Sequence, residues 1–109
     1  MKYGGLAALI GAALPLAAAL PAAAAEHKVT MDSMRYAPAT LQAKVGDTIK
    51  FVNDDSNNHV VFVPTRGFGV DLGAQPPGQD RELTLYKPGR FEVECMLHPG
   101  MLMTVDVSR

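Results

Sequence analysis

A β-sandwich of seven to eight short strands is the all-β fold class that this 109-residue sequence predicts. Three observations lead there. Apolar residues recur at every second position in segment after segment, turn-forming residues separate those segments, and no window after residue 25 carries a helical period.

Met1-Lys2 is followed by an Ala/Leu/Gly-rich run from Gly4 to Ala25, and the first acidic residue is Glu26. One charge, an apolar centre and small residues at the end form the pattern of a secretory leader. Residues 1–25 are expected to be removed by cleavage after Ala24 or Ala25, leaving a single domain at 26–109. A retained membrane anchor is the competing reading, and the alanine dominance and the breaks at Pro15 and Pro21 speak against it.

The remaining chain carries nine Lys and Arg against eleven Asp and Glu, a net charge of −2. That mild acidity implies neither nucleic acid nor an anionic membrane surface as partner. So short a domain buries little apolar surface, and such domains often rely on a disulfide or a metal for added stability.

In the first strand His27, Val29 and Met31 alternate with Lys28 and Thr30. Leu41, Ala43 and Val45 alternate with Gln42 and Lys44, and Ile49 and Phe51 flank Lys50. Further on, Leu83 and Leu85 oppose Glu82, Thr84 and Tyr86, and Met103, Val105 and Val107 oppose Thr104, Asp106 and Ser108. Such alternation is the mark of antiparallel sheets with one face in the core. His59-Val60-Val61-Phe62-Val63 is apolar on both parities, which predicts an interior strand. Val45-Gly46-Asp47 and Lys87-Pro88-Gly89 supply turns. The long stretch from Pro64 to Asp80 breaks the spacing, with Phe68, Val70 and Leu72 able to form a small edge strand.

Chemistry concentrates near the C-terminus, in Cys95-Met96-Leu97-His98-Pro99-Gly100-Met101. Cys95 is the only cysteine, so a disulfide within the chain is impossible, and an unpaired thiol in an exported protein requires an explanation. In Phe91-Glu92-Val93-Glu94-Cys95 the apolar residues and the thiol share one face, which points Cys95 into the sandwich at the end of its strand. A thiolate, an imidazole from His98 and a thioether in one loop make a soft ligand set suited to copper. The plain alternative is a buried, inert cysteine.

With these residues in view, the chain resembles the cupredoxins, the small blue copper proteins with a Greek-key β-sandwich. Gly46-Asp47-Thr48-Ile49-Lys50-Phe51-Val52-Asn53 is similar to the family's Gly-Asp-Thr-Val strand ending in Asn. His59 follows at the family's interval, and Tyr36-Ala37-Pro38 with Leu41 resembles the preceding segment. Cys95-x-x-His98-Pro99-x-Met101 is similar to the short ligand loop of amicyanin. The resemblance implies one copper ion held by His59, Cys95 and His98 as strong equatorial ligands and by Met101 as the weak axial one. Met103 is the alternative axial ligand, at the longer plastocyanin spacing.

Two positions depart from the family pattern. Val60 stands where Asn usually follows the first His, and Leu97 where Pro commonly precedes the second. These bear on the orientation of the ligands rather than on their identity.

The resemblance implies a periplasmic, monomeric one-electron carrier that exchanges electrons with redox protein partners through the His98 surface. No open coordination position or general base is evident, so enzymatic turnover is not expected. Copper trafficking, buffering or tolerance is the alternative function, because Met96, Met101 and Met103 add soft sulfur ligands that favour Cu(I). Cleavage after Ala24 would also leave Ala25-Glu26-His27, an amine, amide and imidazole set able to bind Cu(II), against the simpler reading of a frayed strand end.

Overall fold

The computed structural model describes residues 23–109. The expected leader therefore lies outside the described residues, apart from its last three alanines.

Among the described residues nine strands follow in order: β1 Glu26–Asp32, β2 Arg35–Ala37, β3 Thr40–Lys44, β4 Thr48–Asn53, β5 His59–Val63, β6 Val70–Gln75, β7 Asp80–Thr84, β8 Gly89–Cys95 and β9 Leu102–Ser108. They form two sheets, a four-stranded one in the order β2-β1-β4-β7 and a five-stranded one in the order β3-β9-β8-β5-β6. Most of the alternating residues do as their parity requires. Val29, Met31, Ile49 and Phe51 of the smaller sheet meet Val61, Val63, Phe91, Val93, Val105 and Val107 of the larger in one buried cluster. β6 is the edge strand expected from Val70 and Leu72.

The ninth strand, β2, was not expected. It pairs with β1 through a two-residue turn in which both Ser33 and Met34 have positive φ, 54° and 58°. That is the backbone of a hairpin turn normally marked by Asn-Gly, and Ser-Met gives no such signal.

Two further details differ from the sequence reading. β1 pairs with β4, and β3 with β9, in parallel. Alternation reports which face is buried and carries no information on strand direction, which here is set by the chain crossing between sheets. Val45 lies beyond β3 in the turn and is exposed, although its parity matches Leu41 and Ala43. β5 is interior, as its composition predicted, yet only His59, Val61 and Val63 are fully covered, with Val60 and Phe62 half-buried on the outer face.

Candidate metal centre

The site lies at one end of the sandwich, where β5 begins and β8 ends. Antiparallel pairing sets Val61 opposite Cys95, so His59 and Cys95 leave adjacent strands side by side. Parity turns both inward, and His59 is completely buried. Beyond Cys95 the chain makes a tight loop closed by the Met101 N–H donating to the His98 carbonyl at 3.2 Å. Gly100 at φ 87° allows that reversal.

The loop brings His98 back to Cys95. His98 Nδ1 lies 3.5 Å and His59 Nδ1 3.7 Å from Cys95 Sγ. The donor atoms of the three residues all fall within 4.8 Å of one another. A first-row ion bonded to sulfur and nitrogen at about 2.0–2.3 Å in a trigonal arrangement needs those donors about 3.8 Å apart, so the spacing fits one metal ion. The donor chemistry agrees. A neutral thiol has a single proton to offer, whereas two imidazole nitrogens converge on the sulfur together with the Val60 N–H at 3.4 Å. A cation with a thiolate satisfies all of them, and a Cys-His-His set with a thioether nearby selects copper.

Met101 and Met103 are both buried. The β8–β9 ladder pairs Met103 with Val93 and Leu102 with Glu94. Continuing it by one pair sets Met101 opposite Cys95, while Met103 lies a full pleat deeper in the core.

Several supporting residues were not anticipated from the sequence. The Asp55 carboxylate accepts from His59 Nε2 at 3.1 Å and from the Met34 N–H at 2.9 Å, both on Oδ2. A carboxylate only accepts, so Nε2 carries the ring proton and Nδ1 presents its lone pair to the site. The Met34 N–H, with His59 and the Ser56 N–H adding to it, holds Asp55 below the usual carboxylate range despite burial acting the other way. Asp55 is itself placed by Asn53, whose Oδ1 accepts from the Asp55 N–H at 2.9 Å. Asn53 Nδ2 also donates to the Asn57 and Gln75 carbonyls, and Gln75 Nε2 to those of Phe51 and Gln79. Gln75 is the β6 partner of His59. This buried polar knot fixes the 54–58 loop behind the imidazole.

The Val60 backbone ties the strand of His59 to the ligand loop. Its N–H donates to Cys95 Sγ, and its carbonyl accepts from the Met96 N–H at 3.1 Å. Tyr36, on the smaller sheet, donates to the Glu94 carbonyl at 2.8 Å and so anchors the residue before Cys95 across the sandwich. Burial, with the charges of Cys95 and Glu94 adding to it, pushes its hydroxyl well above the ordinary range and keeps it a donor. A signal for Asp55 existed in the i, i+4 spacing to His59. The run Asp54-Asp55-Ser56-Asn57-Asn58 offers too many equivalent polar groups for sequence alone to choose among them.

Comparison with known proteins agrees with this geometry. Residues 5–105 match the family described as "Cupredoxin-like domain". The chain is 37% identical over 91 residues to methylamine utilization protein MauL of Methylorubrum extorquens, spanning 83% of this chain and 80% of that protein. It is 34% identical over 108 residues to pseudoazurin of Paracoccus pantotrophus, spanning 94% of this chain and 74% of that one. Among solved structures it is similar to a reduced amicyanin variant at TM-score 0.70 and 27% identity, covering 84% and 88% of the two chains. A purple cupredoxin from Nitrosopumilus maritimus shares the fold at TM-score 0.68 and 21% identity, covering 75% of this chain and 99% of that one. A two-sheet sandwich with convergent soft donors at one end, matched to that family along nearly its whole length, makes this chain a cupredoxin, with copper as its cofactor.

Proposed function

We propose that the chain is a one-electron carrier between redox protein partners, with His59, Cys95 and His98 as the equatorial copper ligands and Met101 as the axial one. The convergence of two imidazole Nδ1 atoms on the buried Cys95 thiol is the observation that carries this reading. Bound copper supplies one-electron exchange between Cu(I) and Cu(II). The residues supply a site that changes little between the two states. His59 is locked by Asp55, Cys95 is held by the Val60 N–H and by the strand behind it, and the loop from Cys95 to Met101 is closed by its own hydrogen bond. Such rigidity keeps reorganisation small when an electron arrives or leaves.

His98 is only half-buried, unlike His59, and its loop carries the exposed Met96 and Leu97. Electrons are proposed to pass through this face, in the small weak contacts typical of redox encounters. The protein is read as a monomer that does no substrate chemistry, exported to the periplasm by the leader at residues 1–25.

Copper handling would draw on a wider set of sulfur ligands. The methionines are divided instead, Met103 being in the core opposite Val93 and Met96 in solvent, which favours a single site. The test is a visible spectrum of the protein with one equivalent of Cu(II), repeated on Cys95→Ser and followed by voltammetry. An intense thiolate-to-copper band that Cys95→Ser abolishes, with one reversible one-electron wave, is expected. Absence of the band, or its survival in the variant, overturns the ligand assignment. Binding of several Cu(I) ions without a reversible wave favours copper handling.

A further inference from the structure

At the other end of β1 lies a carboxylate surrounded by donors. Asp47 is 6% exposed. Its Oδ1 accepts from the Ala25 N–H at 2.9 Å, and its Oδ2 accepts from His27 Nε2 at 2.8 Å and from the Lys44 N–H at 2.9 Å. The Ala25 carbonyl in turn accepts from the Thr48 N–H at 3.0 Å. Ala25 is thus held on both sides by the consecutive residues Asp47 and Thr48, where the chain enters β4, one position before β1 begins. Ala23 and Ala24 are exposed and belong to no strand.

A sheltered carboxylate is most stable opposite a full positive charge, and a backbone amide offers only a dipole. The nitrogen on Oδ1 is an amide while Ala24 is attached, and an α-ammonium in a chain that starts at Ala25. We propose that Asp47 is the binding site of the mature amino terminus, and that the leader is removed between Ala24 and Ala25. A leader peptidase and water break that peptide bond. Hydroxide is added to the Ala24 carbonyl, and the Ala25 nitrogen takes the proton, then a second from solvent, to become the ammonium that faces Oδ1.

The donors around Asp47 hold its carboxyl down at about 2, with the Ala25 N–H contributing most, so it is charged when the ammonium forms. A cut one residue later, before Glu26, would discard both Ala25 contacts. The pairing also commits the terminal amine to Asp47, which removes it from any Ala25-Glu26-His27 chelate of Cu(II).

The inference rests on the leader reading, and the experiment separates the two. The full-length chain is expressed in a Gram-negative host, and the intact mass of the exported, copper-loaded protein is measured. A chain starting at Ala25 is expected. A start at Glu26 overturns the inference and leaves the leader reading standing, whereas an uncleaved chain overturns both.

Three purified copper-loaded chains, beginning at Ala24, Ala25 and Glu26, are then melted side by side. The Ala25 chain is expected to melt about 4–8 °C above each of the others. Equal midpoints overturn the inference. In the Ala25 chain, an amine-selective acylating reagent at fixed neutral pH should modify the terminus several-fold faster after Asp47→Asn. An unchanged rate argues against an amine held by that carboxylate. Should Asp47→Asn fail to fold, the three-chain melt decides alone.

Discussion

Asp55 connects two features of the structure that otherwise look unrelated. One oxygen accepts both from the copper-site imidazole of His59 and from the N–H of Met34, the second positive-φ residue of the β1–β2 turn. A negative charge on the far side of a ligating imidazole makes that ring a stronger donor and favours Cu(II) over Cu(I). Replacing Asp55 with Asn keeps an acceptor in place and removes the charge. If the Cu(II) affinity falls tenfold more than that for Cu(I), the reduction potential rises by about 60 mV, which protein-film voltammetry reads directly. A potential that stays or falls would show that Asp55 acts only as a structural clamp. Tyr36→Phe makes a different residue-scale test. It removes the cross-sandwich hydrogen bond to Glu94 and leaves the ring edge against Phe51, so a loss of about 1–2 kcal/mol is expected in denaturant unfolding, with the copper band retained.

At the scale of elements, the two short connections carry the strain. Ser33 and Met34 occupy a left-handed turn for which neither side chain is suited, at a cost of about 1–2 kcal/mol per residue. Substituting Asn-Gly at these positions should stabilise the protein by about 1–2 kcal/mol, measured as a shift in the denaturant midpoint with an unchanged slope. The ligand loop behaves in the opposite way. Gly100 has open space where a Cβ would stand, yet its φ of 87° disfavours any other residue. Gly100→Ala is therefore expected to destabilise by about 1 kcal/mol and to perturb the visible spectrum, because the strain falls between His98 and Met101. The long 64–80 stretch is more ordered than its composition suggests. It holds the whole of β6, and Phe68 stacks on Phe91 with ring centroids 5.3 Å apart and has Lys87 Nζ 4.6 Å above its face.

For the whole molecule, the donors around Asp47 couple folding to pH. The folded carboxyl lies at about 2, below its ordinary value near 4, so its contribution is complete above that ordinary value and is lost as pH falls toward 2. Acid unfolding should steepen in that window, and Asp47→Asn should flatten it; a chevron or equilibrium melt at stepped pH would read the change. Copper acts on the same global equilibrium by binding the folded state, so chelation should lower the melting temperature, by more as the free copper concentration before removal rises.

Much of this molecule was legible in one dimension. Period-two alternation reveals which faces are buried, because a strand offers no other way to separate core from solvent. The single cysteine at a strand end, followed at short spacing by His98 and Met101, carries copper chemistry in residues only six positions apart. Strand direction, the β1–β2 hairpin, the Asn53–Gln75 knot and the choice of Asp55 over its polar neighbours were not legible. The hairpin was hidden because Ser33-Met34 lacks the usual turn signal, and the others depend on residues distant in sequence meeting at a few ångströms, as His59 and Cys95 do across the β5–β8 ladder. Sequence by itself determined the layers and the donor types, since those follow from local parity and side-chain chemistry. Tertiary structure alone decided how the donors are aimed and which carboxylates hold them, because hydrogen-bond geometry exists only once the two sheets have closed.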